Sequence, residues 1–229
     1  MLNRTLLITS AFTFNLLANA QTPAVGAATP AAAKQASPLV GPNLLKNPGA
    51  EATDAAGQLA WAAAYQYKSL PYRMTVEAYG STPGVFMKGW GEKNKHGANY
   101  FRFSAEERAE VRTQEQRFDL TSLGDTIDKG RVIGRVAGYI GAIGNKSFKG
   151  NVVVEYRNSD DKVLKTIRTP NMPYDVQLSD PKLTRCSQTL VLPVGTRYAA
   201  VYLSAYFESD ADHSGSLVMD DVSFELIYR

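Results

Sequence analysis

The stretch Asn151-Val152-Val153-Val154-Glu155-Tyr156-Arg157-Asn158-Ser159-Asp160-Asp161-Lys162-Val163-Leu164-Lys165-Thr166-Ile167 decides the fold class. Over 151–157 the side chains alternate, with Val152, Val154 and Tyr156 opposite Val153, Glu155 and Arg157. A period of two belongs to an extended strand, whose successive side chains point to opposite faces. Asn158-Ser159-Asp160-Asp161 supplies turn formers, which hydrogen-bond their own backbone, and 163–167 reads as the return strand. The pair predicts a β-hairpin.

The same pattern extends outward. In 73–79, Met74, Val76 and Ala78 oppose Thr75, Glu77 and Tyr79. In 198–207, Val201, Leu203, Ala205 and Phe207 share one face, with Tyr202, Ser204 and Tyr206 on the other. Val222, Phe224 and Leu226 carry a last strand. In 131–141 glycine joins the alternation: Val132, Gly134, Val136, Gly138 and Ile140 on one face, Ile133, Arg135, Ala137 and Tyr139 on the other. Glycine inside a strand marks a bend or a close approach; sheet curvature is the simpler reading here, and its concave side would make a groove floor. The best helical candidates are short, 105–108 and 122–127. Short strands between Gly, Pro, Asn and Asp turns predict an all-β antiparallel sandwich or barrel.

The N-terminus reads as an export signal. Arg4 is the positive start, and Leu6, Leu7, Ile8, Ala11, Phe12, Phe14, Leu16 and Leu17 form an interrupted apolar stretch. Ala18-Asn19-Ala20 places small residues where signal peptidase cuts, and the stretch is shorter than the ~20 apolar residues of a spanning helix. Residues 1–20 are therefore expected to be removed, leaving no membrane span and a secreted or periplasmic protein. Residues 21–42, rich in Ala, Pro, Thr, Gly and Gln, read as a flexible linker, and 43–229 as one domain with a single core. The net charge of +3 is modest, with no basic stripe of the kind that binds nucleic acid. A single cysteine, Cys186, excludes an intrachain disulfide and reads as a buried small hydrophobe.

Asn43-Leu44-Leu45-Lys46-Asn47-Pro48-Gly49-Ala50-Glu51, followed by Trp61, resembles the opening of galactose-binding-like jelly-roll domains. These include carbohydrate-binding modules attached to bacterial polysaccharide-degrading enzymes. Asp220-Asp221-Val222-Ser223-Phe224-Glu225-Leu226 resembles their closing strand. Between the two ends, 96–101, 116–120 and 193–197 are similar to the family's glycine-led strand, its Gln-x-x-Asp-Leu strand and its Pro-x-Gly-Thr turn. The resemblance spans nearly all of 43–229, and implies an antiparallel jelly-roll β-sandwich with Trp61 in its core. Ala50 departs from the pattern, which has a bulky apolar residue there.

The resemblance further implies a structural calcium ion where the opening turn meets the final strand. Glu51 and Asp221 match the family's carboxylates, and the carbonyls of Asn47 or Gly49 would complete part of the shell, with the 94–96 loop nearby. Six to eight oxygens suit this hard cation. The competing reading is that Glu51 caps a turn while Asp220 and Asp221 end a strand.

Sugar binding asks for exposed aromatic rings, on which the apolar face of a pyranose stacks, and for polar neighbours. Among the twelve tyrosines, Tyr139 shares a face with Arg135, and Tyr202 shares one with Tyr206. Trp90, between Gly89 and Gly91, and Tyr65, Tyr67 and Tyr72 lie in loop-like stretches. Tyrosine is also common in strands for packing reasons.

Catalytic patterns are sparse. Arg108-Ala109-Glu110-Val111-Arg112 resembles a cleft strand of jelly-roll alginate lyases, but the accompanying Gln-x-His and Tyr motifs are absent. Alternating charges on an exposed strand explain it. There is no Gly-x-Ser-x-Gly elbow and no His-Glu-x-x-His. Glu106, Glu107 and Glu110 would need a separation of ~5–10 Å to act as a glycosidase pair, and His213 sits in a polar loop at 210–215.

The expectation is an exported, non-catalytic, carbohydrate-binding-like module holding one calcium, with a polysaccharide or glycan as partner. The alternatives are an envelope β-sandwich that contacts other proteins without sugar specificity, and a polysaccharide lyase or hydrolase. N-terminal sequencing of the protein recovered after export should begin at Gln21; a mature chain that still starts at Met1 contradicts the signal reading.

Overall fold

The computed structural model describes residues 39–51, 61, 73–81, 86–104, 109–143, 148–171, 182–207 and 216–229. The signal sequence, most of the linker, the 105–108 helix candidate, Tyr65, Tyr67, Tyr72 and His213 lie outside the described residues. Along the chain run β1 (Leu39–Val40), β2 (Arg73–Ala78), α1 (Trp90–Asn94), β3 (Asn99–Ser104), β4 (Ala109–Arg112) and β5 (Gln116–Asp119). A 3-10 turn (Thr121–Leu123) and α2 (Gly124–Asp128) follow, where the sequence places a short helix. Then come β6 (Val132–Ile143), β7 (Phe148–Arg157), β8 (Val163–Arg168), β9 (Thr184–Val191), β10 (Tyr198–Phe207) and β11 (Ser216–Tyr228).

All described pairings are antiparallel, and they build two sheets. The first has the order β2-β3-β11-β6-β9, with β1 joined to the end of β11. The second has the order β4-β10-β7-β8, with β5 beside β10. From β6 to β11 the chain passes back and forth between the sheets, the jelly-roll sandwich expected from the sequence. β1 draws Leu39 and Val40, residues read as linker, onto Tyr228 and Ile227. The hairpin forms as read: Asn158 Oδ1 accepts the amides of Asp160 and Lys162 at 3.0 and 2.9 Å and closes the turn.

The core lies between the sheets and follows the alternation. Val152, Val154 and Tyr156 from β7 meet Val201, Leu203 and Ala205 from β10, Val136 and Ile140 from β6, and Phe101 and Phe103 from β3. Trp61 is fully buried there, edge-on to Phe101. Cys186 is buried too, and its burial pushes the thiol pKa up, away from reactivity.

In β11 the alternation changes phase. Leu217 and Met219 point inward before Asp220, and Val222, Phe224 and Leu226 point inward after it. Between Asp220 and Ser223 three residue steps on β11 oppose two on β6, so one residue is extra. This is a β-bulge, and Asp221 occupies it with φ +45°. The opening segment is sewn onto the same strand. Asn43 Oδ1 accepts the amides of Leu45 and Phe224, and Asn43 Nδ2 donates to the Val222 carbonyl.

The glycines of β6 serve close approach. Gly134 and Gly138 face the interior, so the groove-floor expectation fails at these positions. A Cβ at Gly134 would collide with the Tyr156 hydroxyl and lie 3.1 Å from Leu192 Cδ1, while one at Gly138 would meet Val152 at 3.0 Å. The Tyr156 hydroxyl is itself buried without a hydrogen-bond partner. Gly134→Ala should cost about 1–3 kcal/mol through overpacking. Tyr156→Phe should be neutral or stabilising, because it removes an unsatisfied hydroxyl. Chemical denaturation of the single and double variants checks the pair, and Tyr156→Phe should rescue much of the Gly134→Ala loss.

Candidate functional site

Two places gather functional side chains, on opposite faces of the sandwich. The first surrounds the bulge. Because Asp221 is the extra residue, it and Asp220 both reach the outer side of the first sheet, which adjacent residues of a regular strand cannot do. Asp220 is 0% exposed. Its Oδ2 accepts the Tyr79 hydroxyl at 2.6 Å, and its Oδ1 accepts the Asp221 amide at 2.7 Å. Asp221 Oδ2 lies 2.7 Å from His96 Nδ1, which donates to it. Burial, then the charges of Asp221 and Glu51, push the Asp220 pKa up to about 8, against the downward pull of the Tyr79 hydrogen bond.

The opening turn closes over these carboxylates. The Val222 amide donates to the Pro48 carbonyl. At Gly49 a Cβ would sit 3.3 Å from Asp221 Oδ1 and 3.5 Å from Asp220 Oδ1, so both oxygens face the turn. Glu51 Oε1 accepts the amides of Ala98 and Asn99 at 2.8 Å each, and Oε2 accepts Asn99 Nδ2 at 3.2 Å. Glu51 therefore fastens the 97–99 loop, the capping role weighed against metal binding. Gly97, at φ +82°, has no room for a Cβ beside the Glu51 carboxylate. The Asn47 carbonyl accepts the Trp61 indole N–H at 3.2 Å.

Glu51 and Asp221, expected together, do meet in this corner, with Gly49 and Asn47 beside them. Sequence reasoning did not place Asp220 as a participant or His96 as the partner of Asp221. The adjacency Asp220-Asp221 was the available signal, but it is legible only once a bulge is known. The donor set fits a hard cation. Asp220 and Asp221 bring carboxylate oxygens, and His96 a ring nitrogen, within 4.8 Å of one another, and neither aspartate forms an ion pair with Lys or Arg among the described residues; Glu51 stands beside them with its oxygens on the Ala98 and Asn99 amides.

Next to this corner, the outer side of the first sheet carries an aromatic layer of Tyr79, Phe86 and Tyr100 with Leu183 and Val218. Trp90 stacks on Tyr79 at 5.3 Å and lies parallel to the His96 ring at 5.5 Å. Tyr139 meets His96 edge-on at 4.5 Å. Trp90 and Tyr139 are thus joined through His96 in one packed, half-buried layer. Arg135 shares the Tyr139 face as expected, but its guanidinium pairs with Glu225 across β6 and β11.

The second place is the outer face of the second sheet, and the strand register fixes its layout. Glu110, Tyr206 and Lys149 form one cross-strand row; Arg112, Ser204 and Asn151 the next; Tyr202, Val153 and Arg168 the third. Around the first two rows lies a depression of about 460 Å3, to which Arg168, Thr169, Pro170 and Asn171 also contribute. Glu110 Oε1 accepts the Ser204 hydroxyl at 2.9 Å. Asn151 Nδ2 donates to the Thr169 carbonyl and Asn171 Oδ1. The Lys149 ammonium stands 6.0 Å from the Tyr206 ring centre.

Tyr202 and Tyr206 share this face as read, yet they differ in access. Tyr202 is 3% exposed: the Arg112 guanidinium covers its ring at 3.4 Å, and its hydroxyl donates to Glu155 at 3.1 Å. It is not the open platform that the sequence suggested. Tyr206 is half-buried and lines the depression. The structure therefore separates the five expected sugar contacts, with Tyr139, Arg135 and Trp90 on one side and Tyr202 and Tyr206 on the other. Lys149, Asn151 and Arg168 were not anticipated. Extending the outward phase of Val153, Glu155 and Arg157 back to Asn151 and Lys149 would have found two of them.

No family model matches the chain, and no curated protein does. Several solved structures align with it at low identity. The enzymatically active domain of bacteriophage CBA120 tailspike protein 4 aligns over 80% of this chain with 11% identity and a TM-score of 0.49. This chain spans 21% of that tailspike chain. The CBM22-1 xylan-binding domain of Paenibacillus barcinonensis Xyn10C aligns over 72% of this chain and 89% of its own, at 12% identity and a TM-score of 0.39. CBM27-1 of Caldicellulosiruptor saccharolyticus, in complex with mannohexaose, covers 72% and 88% at 15% identity and a TM-score of 0.36.

Proposed function

We propose that the protein is an exported, non-catalytic module that binds a glycan along the outer face of its second sheet. The observation that carries this is the depression in which Tyr206 offers ring surface beside Lys149, Asn151, Ser204, Glu110 and Asn171. A half-wet tyrosine flanked by amide, hydroxyl and charged groups suits a pyranose, which is apolar on its ring faces and polar at its rim. The first sheet is less suited, because its aromatic rings pack on one another and its Arg135 and Arg102 are paired. Glu110 is the single carboxylate among the described lining residues. Glycoside hydrolysis generally uses two, which favours binding over cleavage. Export rests on the N-terminal sequence.

The second element of the proposal is a structural calcium ion at the bulge. Asp220, Asp221 and Glu51 would hold it, with carbonyl oxygens from the Asn47–Gly49 turn. When bound it would supply positive charge to the buried Asp220 carboxylate and tie the 47–51 turn to the last strand. His96 would orient Asp221 through its hydrogen bond, as outer-shell partners do.

Tyr206→Ala should weaken binding to whichever polysaccharide of a broad panel is retained, by about tenfold or more (~1.4 kcal/mol per factor of ten). Tyr139→Ala should leave that affinity within about threefold, a bound set by the expectation that side chains outside a contact contribute little. Affinity electrophoresis measures both; silence across the whole panel overturns the reading. For the metal, calcium should raise the melting temperature and EDTA lower it, and Asp221→Ala should remove the difference. Identical melting curves of the unaltered protein in calcium and in EDTA rule the ion out.

A further inference from the structure

Arg168 sets the chemical character of the groove. It stands exposed on β8, opposite Val153, at the edge of the depression. The other arginines described on this face are engaged. Arg112 covers Tyr202 and lies within 4.0 Å of Glu155 and 3.7 Å of Glu115. Arg157 pairs with Glu155 and Glu115, and Arg117 pairs with Asp161 at 2.9 Å. Arg168 forms no ion pair among the described residues. Glu110, the one carboxylate among the described lining residues, is on β4, which β10 and β7 separate from β8. That is three strand spacings, about 14 Å, too far for a contact.

An exposed guanidinium presents a planar fork of donors that matches a carboxylate bidentately. Lys149 belongs to the same lining, its ammonium 6.0 Å from the Tyr206 ring centre. Asn151, on β7, stands between the strand that carries Tyr206 and Ser204 and the strand that carries Arg168. A sugar chain stacked on Tyr206 and continuing along the depression would bring the substituents of a neighbouring sugar to the Arg168 guanidinium, where an acidic substituent gains most.

We propose that the bound glycan is acidic, a polymer of uronate residues of which one carboxylate seats on Arg168. This deepens the function proposed above and rests on the same groove. The test uses polygalacturonate and alginate, each before and after chemical reduction of its carboxyls to neutral alcohols, with the intact protein. The native polymers should bind, more weakly as salt rises, and carboxyl reduction should cost about tenfold or more, as expected for a charge-assisted contact. Arg168→Ala should reproduce that loss, with an unchanged melting temperature because the side chain is exposed, while Arg168→Lys should retain part of the affinity. If the reduced polymers bind as tightly, and Tyr206→Ala still abolishes binding, the acidic assignment falls while the groove reading stands. Binding to the native polymers that Arg168→Ala leaves intact also overturns it. If neither these polymers nor a neutral panel binds, both proposals fall.

Discussion

One extra residue in the last strand holds the two ends of the domain together. The bulge at Asp221 shifts the side-chain phase of β11, so that Leu217 and Met219 fill one half of the core while Val222, Phe224 and Leu226 fill the other. Without it, one of those sets would face outward, since a one-residue slip inverts every side chain of a strand. The same insertion lets Asp220 and Asp221 emerge side by side. Their carboxylates organise the surroundings, with Tyr79 on one, His96 on the other, and the opening turn folded against both.

A layer of aromatic side chains covers the bulge. Segment 86–98 returns across the outer side of the first sheet and buries Tyr79, Phe86 and Tyr100. His96 is the joint of this layer, bonded to Asp221 and packed between Trp90 and Tyr139. Glu51 fixes the far end of the segment by accepting the amides of Ala98 and Asn99. A carboxylate buried at 0% exposure beside two others is costly unless its charge is offset. The hydrogen bonds from Tyr79 and Asp221 offset part, and the proposed calcium would offset the remainder.

The second sheet solves the opposite problem. Among the described residues its outer face forms a depression around the rows of Tyr206 and Ser204, and its ion pairs gather at the other end. There Glu155, Arg157, Glu115, Asp161, Arg112 and Arg117 form a continuous network. That network locks Tyr202 under Arg112 and stiffens β7, β10 and their neighbours. The Tyr206 end is left with a depression and with Arg168 outside the network. A rigid, charge-balanced region beside an open polar one is a sound base for holding a ligand, because the contacting side chains stand on strands and not on loops.

The sequence by itself determined the sandwich. Alternation in 151–157, 163–167 and 198–207 marked the strands, and in the first and last of these it grouped the side chains that share a face, because a period of two needs no knowledge of the partner strand. It also brought Glu51 and Asp221 to one corner, through a resemblance carried by the residues at both ends. Tertiary structure decided what alternation cannot express. The bulge changed phase at Asp221, which put Asp220 beside it and gave His96 a partner 125 residues away. Packing placed Tyr139 and Trp90 on one side of the sandwich and Tyr202 and Tyr206 on the other, and it covered Tyr202 while leaving Tyr206 at the groove. Exposure and pairing depend on which strands become neighbours, and those contacts join residues far apart in the chain.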